Sequence, residues 1–246
     1  MKPSYRAQLA RVRASYTDEK RADEARHDMP GRYVYRPLSF WITPFFLAFG
    51  WSANGVTVLS LGLALLLPGL ALLGGLRGAG AVVMACFIFQ VLDCVDGNIA
   101  RTTGHHTHVG GMLDGLSSML FWAAYFIAVG LLAQGEPHGL FTLYGRELGL
   151  GLALLLFMQR ELEDTFAAYF DERVRWQPPV PHAPEVDLAR WGRVLEHGIG
   201  FGGLLFAAVF ARVGIFLALL ATYQGVLFCL WLVRYCQAVR ARSNEP

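Results

Sequence analysis

The chain has 246 residues, of which 54% are hydrophobic and only 16% are charged, and its mean hydropathy of +0.39 argues against an average soluble domain. Its net charge of +2 is close to neutral, so the total charge gives no sign of a nucleic-acid partner. This composition predicts an all-α, polytopic membrane protein.

The first 40 residues are polar and precede the apolar part of the chain. Residues 4–28 are helix-prone, with Leu9, Val12 and Tyr16 at helical spacing among Arg and Lys residues. This pattern is typical of an amphipathic helix on an anionic membrane surface, and a solvated leader helix is the other open interpretation. We therefore expect a cytoplasmic N-terminal segment over residues 1–40, without a signal peptide, followed by a transmembrane domain over residues 41–240.

Six stretches come close to the roughly 20 apolar residues that a helix needs to cross the hydrocarbon core. They are residues 54–74, 79–100, 109–133, 147–168, 196–212 and 214–236.

The basic residues are distributed unevenly between the two sides that six spans define. Of the 21 Lys and Arg residues, 18 lie in segments or span ends on the side of the two termini, and Arg77, Arg146 and Arg212 lie on the other side. The positive-inside rule places the side that carries more Lys and Arg in the cytoplasm. We expect a multi-pass protein of the inner or plasma membrane, with both termini and the loop at residues 101–108 in the cytoplasm.

Aspartates stand at the junction of the second and third predicted spans. On a helix that continues span two, Asp93, Asp96, Gly97, Ala100 and Arg101 share one broad face. The third span repeats the arrangement, since its small and acidic residues recur every four positions. The members of that second face are Gly110, Asp114 and Ser118.

A short turn would make these two helices antiparallel neighbours, so the acidic faces can meet at the cytoplasmic boundary. One unpaired charge within a span costs about 2.5 to 3.5 kcal/mol on insertion scales, so three carboxylates imply a cation or a water-filled cavity. Oxygen ligands without clustered thiolates or imidazoles favour Mg²⁺ or Mn²⁺ over zinc. Gly97, Ala100 and Gly110 leave space beside them that would admit phosphates.

The aspartates also allow other interpretations. An EF-hand loop with Gly97 at its sixth position would need ligands at Leu92 and Thr103, and neither can serve. An ion pair of Asp96 with Arg101 leaves the other two aspartates unexplained. A proton or ion relay in a transporter also needs acidic residues within spans, so it stays open.

These residues resemble the signature of the CDP-alcohol phosphotransferases, D-x-x-D-G-x-x-A-R, eight residues, then G-x-x-x-D-x-x-x-D. The pattern is kept through Asp114 without a change of spacing. The resemblance implies a membrane enzyme with six transmembrane helices and a cytoplasm-facing site. Upstream, Asn54 and Thr57 match an Asn-x-x-Thr element of the family's nucleotide pocket, although Ala53 stands where a proline is usual.

Ser118 occupies the position of the family's fourth aspartate, which activates the acceptor hydroxyl as a general base and contacts metal. A serine hydroxyl cannot be that base at neutral pH unless another group takes its proton. Asp114 lies one helical turn away. The other candidates, which also have ordinary explanations as loop histidines or a charged helix end, are His105, His106, His108, Glu161, Glu163 and Asp164.

By resemblance, the protein moves a substituted phosphoryl group from a CDP-linked alcohol to an acceptor hydroxyl and releases CMP, in phospholipid or related lipid or glycan biosynthesis. The resemblance implies Asp93, Asp96 and Asp114 as ligands of Mg²⁺ or Mn²⁺, with Asp114 also catalytic. Arg101 either supports the phosphates or pairs with an aspartate. The residues expected to contact the CDP-alcohol are Asn54, Thr57, Asp93, Gly97, Ala100, Arg101 and Gly110.

Two further functional interpretations stay open. A degenerate member of the family would bind without efficient turnover, and an ion-coupled transporter would use the acidic cluster, although no two related halves are visible. Arg190 and Arg193 are candidates for an anionic acceptor or for lipid headgroups. The expected partners are the donor, an unspecified hydroxyl acceptor and membrane lipids, with a homodimer open and no nucleic acid.

Overall fold

The computed structural model describes residues 4–105, 107–136, 141–170 and 200–243, and the regular elements in these ranges are all helices. A short π-helix, Gly31–Tyr35, continues directly into α3. This architecture confirms the all-α class. The α-helices are α1 (Tyr5–Ala14), α2 (Asp18–His27), α3 (Arg36–Ala48), α4 (Ala53–Ala71), α5 (Gly75–Thr103), α6 (His108–Gln134), α7 (Gly145–Phe170), α8 (Phe201–Val209) and α9 (Val213–Ser243).

Four of the described helices, α4, α5, α6 and α9, are long and apolar enough to cross a membrane. The predicted count of six spans is therefore not confirmed. The predicted fourth span corresponds to α7, which has 26 residues but carries the charged sequence RELED within it. The predicted fifth span begins outside the described residues, and its described part, α8, has only nine residues.

The two motif helices are joined by a tight turn. Gly104 ends α5 in the left-handed region, with φ of +70°, which a glycine adopts without a steric penalty. Thr107 then starts α6, because its hydroxyl accepts a hydrogen bond from the Gly110 N–H at 3.0 Å. The turn brings the end of α5 beside the start of α6, and α4 packs along both helices.

The N-terminal segment forms two helices rather than the single amphipathic helix expected over residues 4–28. The helices part between Ala14 and Asp18, where the Thr17 side chain accepts from the Lys20 N–H and caps α2. Helix α1 packs against α3 and α5, and its Val12 is fully buried. Hence this segment is part of the folded bundle, at least over the described residues.

Helices α6 and α7 cross at unusually short range through glycines. A Cβ atom on Gly149 would lie 2.5 Å from the carbonyl oxygen of Phe126, and one on Gly130 would lie 2.5 Å from that of Gly145. Contacts this short are not tolerated, so the crossing requires the absence of side chains at these positions. Small residues allow helix backbones in membranes to approach closely in this way.

Candidate active site

The three motif aspartates come together where α5 and α6 meet. The carboxyl groups of Asp93 and Asp114 lie within hydrogen-bonding range, and Asp96 interacts electrostatically with both. Asp96 is buried, Asp93 is half-buried and Asp114 is exposed. Neighbouring carboxylates repel one another unless a cation or proton lies between them. The cluster is therefore suited to bind positive charge on one accessible side.

Helix α4 contributes a hydroxyl group to this cluster. Thr57, which is 5% exposed, donates a hydrogen bond from Oγ1 to Asp96 Oδ2 at 2.7 Å. Ser52 determines where α4 begins, because its hydroxyl accepts a hydrogen bond from the Gly55 N–H at 3.1 Å. The start of α4 is thus fixed beside the motif, and Thr57 orients one of its carboxylates.

The motif glycines leave room for other polar groups. A Cβ atom on Gly110 would lie 2.9 Å from Asn54 Oδ1, so the missing side chain allows Asn54 to reach α6. A Cβ atom on Gly97 would lie 3.2 Å from Arg101 Nη1, and Ala100 is half-buried on the same helix. The structure therefore brings the Asn-x-x-Thr element next to the aspartate motif, as the resemblance implied.

Arg101 does not form an ion pair with any aspartate among the described residues. Its Nη2 donates to Asn98 Oδ1 at 2.9 Å, while its Nε is buried without a hydrogen-bond partner. A buried guanidinium N–H without an acceptor is costly. Of the two roles that the sequence left open for Arg101, pairing with an aspartate is not seen among the described residues, and the phosphate role stays a prediction.

Asn98 belongs to a buried polar network that the sequence analysis missed. Its Oδ1 accepts from Arg36 Nη1 at 3.1 Å, and its Nδ2 donates to Ser39 Oγ at 2.9 Å and to Thr43 Oγ1 at 3.2 Å. Arg36 Nη1 also donates to the Cys94 carbonyl oxygen at 3.1 Å. The serine and threonine, spaced by four in an otherwise apolar α3, were the available sequence signal for this contact.

Glu24 of α2 completes the network at its outer end. It is 3% exposed and forms an ion pair with Arg36, which donates from Nε at 3.1 Å and also from Nη2. Tyr16 donates its hydroxyl to Glu24 Oε2 at 2.7 Å. Burial and then this hydrogen bond raise the pKa of Tyr16 to about 12, so the phenol stays a neutral donor at physiological pH.

Ser118 is half-buried one turn beyond Asp114 and makes no side-chain hydrogen bond with another described residue. Its neighbour Ser117 is buried and lies 3.5 Å from Ser60 Oγ, so Ser117 takes part in packing between α4 and α6. Among the described residues, the serine at the fourth motif position therefore has no neighbouring proton acceptor besides the aspartate on its own helix face.

The alternative base candidates are not drawn into the cluster in the part of the chain that is described. His105 is exposed in the turn, His108 is exposed at the first position of α6, and His106 lies outside the described residues. On α7, Glu163 accepts from Gln159 at 3.2 Å, and Asp164 pairs with Arg160 at 3.2 Å. Glu161 is exposed on the same helix, and the acceptor candidates Arg190 and Arg193 lie outside the described residues.

The donor set agrees with a hard divalent cation, although a closed coordination shell is not preformed. No group of three or more His, Cys, Asp or Glu side chains in the described ranges is arranged to hold a metal. The cluster nevertheless offers oxygen ligands alone, next to the Arg101 guanidinium beside Gly97 and the Asn54 amide beside Gly110. Oxygen ligands of this kind, completed by phosphate oxygens, are the usual environment of Mg²⁺.

These features define a helical membrane protein with an acidic site at one end of its bundle. Residues 51–177, which make up more than half of the chain, match the family model described as CDP-alcohol phosphatidyltransferase. The chain belongs to this family and is a membrane transferase of this kind. A search of curated proteins found no match.

Proposed function

We propose that the protein transfers a substituted phosphoryl group from a CDP-linked alcohol to an acceptor hydroxyl, with release of CMP, in the synthesis of a phospholipid or related lipid or glycan. The observation that carries this proposal is the meeting of Asp93, Asp96 and Asp114 beside the Asn54 and Thr57 element. The buried, unpartnered Nε of Arg101 supports a phosphate-bearing substrate at the same place.

In this proposal Asp93, Asp96 and Asp114 would hold Mg²⁺ or Mn²⁺. A bound divalent cation supplies neutralisation of the pyrophosphate charge and of the charge on the departing CMP. Thr57 holds the Asp96 carboxylate in a fixed orientation through its 2.7 Å hydrogen bond. Arg101 donates to a phosphate oxygen from the atom that lacks an internal partner. Such preorganised donors lower the barrier because they need not reorient during the reaction.

The acceptor hydroxyl must lose a proton during transfer. Asp114 is the exposed member of the cluster, so it is the carboxylate that an acceptor can reach. We propose that Asp114 accepts this proton. It thereby takes the role of the family's fourth aspartate, whose position is occupied by Ser118. General base catalysis by a positioned carboxylate contributes about 10²- to 10⁴-fold. If Asp114 acts as the base, the protein is a working transferase; without a base, it is a family member that only binds its substrate.

The proposal is tested by measuring CMP release from CDP-diacylglycerol, CDP-choline, CDP-ethanolamine and CDP-inositol with the full chain in detergent micelles. We expect release from at least one donor, and its loss in the Asp96→Ala variant. The control is Asp18→Ala, whose side chain is 97% exposed on α2 and far from the motif in sequence. Equal loss of activity in both variants, or release without any donor preference, would contradict the assignment.

Nucleotide binding separates the alternatives. We expect binding of CDP to require Mg²⁺ or Mn²⁺ and to disappear with Asp96→Ala, because carboxylates repel a pyrophosphate that no cation accompanies. Cation-dependent binding without CMP release would mark a degenerate family member. Unchanged CDP affinity in excess chelator would refute the metal assignment, and uptake of an ion without CDP binding would instead indicate a transporter.

A further inference from the structure

A basic cleft lies between the N-terminal helices, apart from the aspartate motif. It has a volume of about 390 Å³, and the described residues of its walls are four arginines and three aromatic residues, with no carboxylate among them. The lining residues are Arg13, Tyr16, Arg21, Arg32, Tyr33, Arg36 and Phe40.

Two of the four arginines are neutralised by neighbouring carboxylates. Arg36 pairs with the buried Glu24, and Arg21 pairs with the exposed Asp18 at 3.2 Å. Arg13 and Arg32 form no ion pair with any described residue. The cleft therefore has two positive charges that no described side chain compensates.

The two uncompensated guanidinium groups are held in place by other contacts. Arg13 lies over the Trp41 ring at 5.2 Å, and Arg32 lies over the Tyr33 ring at 5.4 Å. Arg32 also donates from Nη1 to the Arg21 carbonyl oxygen at 3.0 Å. Contacts with ring faces and a carbonyl orient the guanidinium groups but do not neutralise them. Because these guanidinium groups are already positioned, their side chains lose less conformational entropy when an anion binds.

The cleft lies beside the end of the bundle that carries the aspartate motif. Its floor, Arg36, contacts the Cys94 carbonyl oxygen and Asn98, within about one turn of the motif aspartates. Beside it, exposed apolar side chains recur at helical spacing along one stripe. That stripe consists of Val34, Leu38, Trp41 and Phe45, which are 40 to 55% exposed. An exposed apolar stripe with aromatic residues is typical of the headgroup region of a bilayer.

We infer that this cleft binds a phosphate-bearing anion at the membrane surface, supplied either by a lipid headgroup or by a soluble phosphate compound. Guanidinium groups match phosphate oxygens in geometry and charge, and the aromatic walls exclude part of the water that would screen them. The site does not depend on the proposed transfer reaction, since none of its lining residues belongs to the aspartate motif.

The test uses the full chain in dodecylmaltoside micelles and records the thermal-unfolding midpoint. Phosphatidylglycerol, phosphatidylcholine and inorganic phosphate are titrated separately, and apparent affinities are taken from the rise in midpoint. We expect phosphatidylglycerol to raise the midpoint more than phosphatidylcholine. If inorganic phosphate also raises it, the phosphate group is sufficient; if only the lipid does, the headgroup is the source.

Variants locate the response. Each of Arg13→Gln and Arg32→Gln should weaken the apparent affinity about fivefold, the equivalent of the ~1 kcal/mol that one basic residue contributes near an anionic surface. Arg11→Gln, an exposed arginine of α1 outside the cleft, should change it less than twofold. Asp96→Asn should keep the full response. Arg13 is exposed, so its variant decides the outcome even if Arg32→Gln does not fold.

The inference is overturned if neither phosphatidylglycerol nor inorganic phosphate raises the midpoint. A rise with a polyglutamate peptide in that case would show that the cleft prefers carboxylates to phosphates. It also fails if Arg13→Gln loses no more affinity than Arg11→Gln. Loss of the response in Asp96→Asn would assign it to the aspartate motif instead, and would likewise overturn a separate site.

Discussion

Replacing Arg36 with leucine removes one half of the buried ion pair that joins α2 to α3. Glu24, which is 3% exposed in the intact protein, would then keep the Tyr16 hydroxyl at 2.7 Å and the Lys20 ammonium at 4.0 Å as polar neighbours. Arg36 also supplies donors to buried acceptors on α5, which would lose them. Breaking a buried pair from one side costs about 3 to 5 kcal/mol, because the remaining charge is uncompensated.

This loss is large enough to measure by unfolding in detergent micelles. For a chain of this length, about 1 kcal/mol corresponds to a shift of about 2 to 4 °C in the midpoint, so we expect a decrease of roughly 6 to 20 °C. The matched control is Arg21→Leu, which breaks the pair with Asp18. That pair is exposed, with 51% and 97% of its side chains accessible, so it should contribute at most about 1 kcal/mol.

A second variant distinguishes lost charge compensation from lost packing. The pair Glu24→Leu with Arg36→Met removes both charges and keeps apolar volume, so it should recover much of the stability that Arg36→Leu loses. If Arg36→Leu and Arg21→Leu have equal midpoints, Glu24 and Arg36 are not a buried pair in the membrane-bound protein, and the reasoning about the N-terminal helices is wrong.

Three other predictions address packing, chemistry and topology. Gly149→Ala should destabilise the protein by about 1 to 3 kcal/mol in the same assay, since its Cβ would lie 2.5 Å from a backbone oxygen of α6. The control Gly151→Ala should be neutral, because nothing lies within 4 Å of its Cβ position. Equal midpoints for the two variants would contradict the close crossing. Ser118→Asp should lower CMP release, because another carboxylate beside Asp114 adds repulsion; a rise of tenfold or more would mean that the missing base limits turnover. A cysteine at Thr103 in a Cys-free background should resist a membrane-impermeant thiol reagent added outside intact cells, and ready labelling would reverse the assigned topology.

The sequence by itself determined the helical class, the long apolar helices and the residues of the motif. Composition and length are enough for the first two, because a membrane span must be a run of apolar residues that satisfies its own backbone. The motif spacing placed Asp93, Asp96 and Asp114 on two facing helices, and the Asn54 element was placed only through the resemblance. The structure shows that helix ends at Ser52, Gly104 and Thr107 also depend on local hydrogen bonds and local backbone conformation.

Tertiary structure decided which polar groups meet across helices. Periodicity could not determine whether Arg101 faces an aspartate or a phosphate. In the structure its Nη2 donates to Asn98, and its Nε has no hydrogen-bond partner among the described residues. From the sequence, Glu24 and Arg36 would be expected to be solvent-exposed charges of the N-terminal segment, yet they are buried together against α5. A helical pattern reports which residues share a face of one helix. It contains no information on which other helix covers that face, because that depends on the packing of segments far apart in the chain.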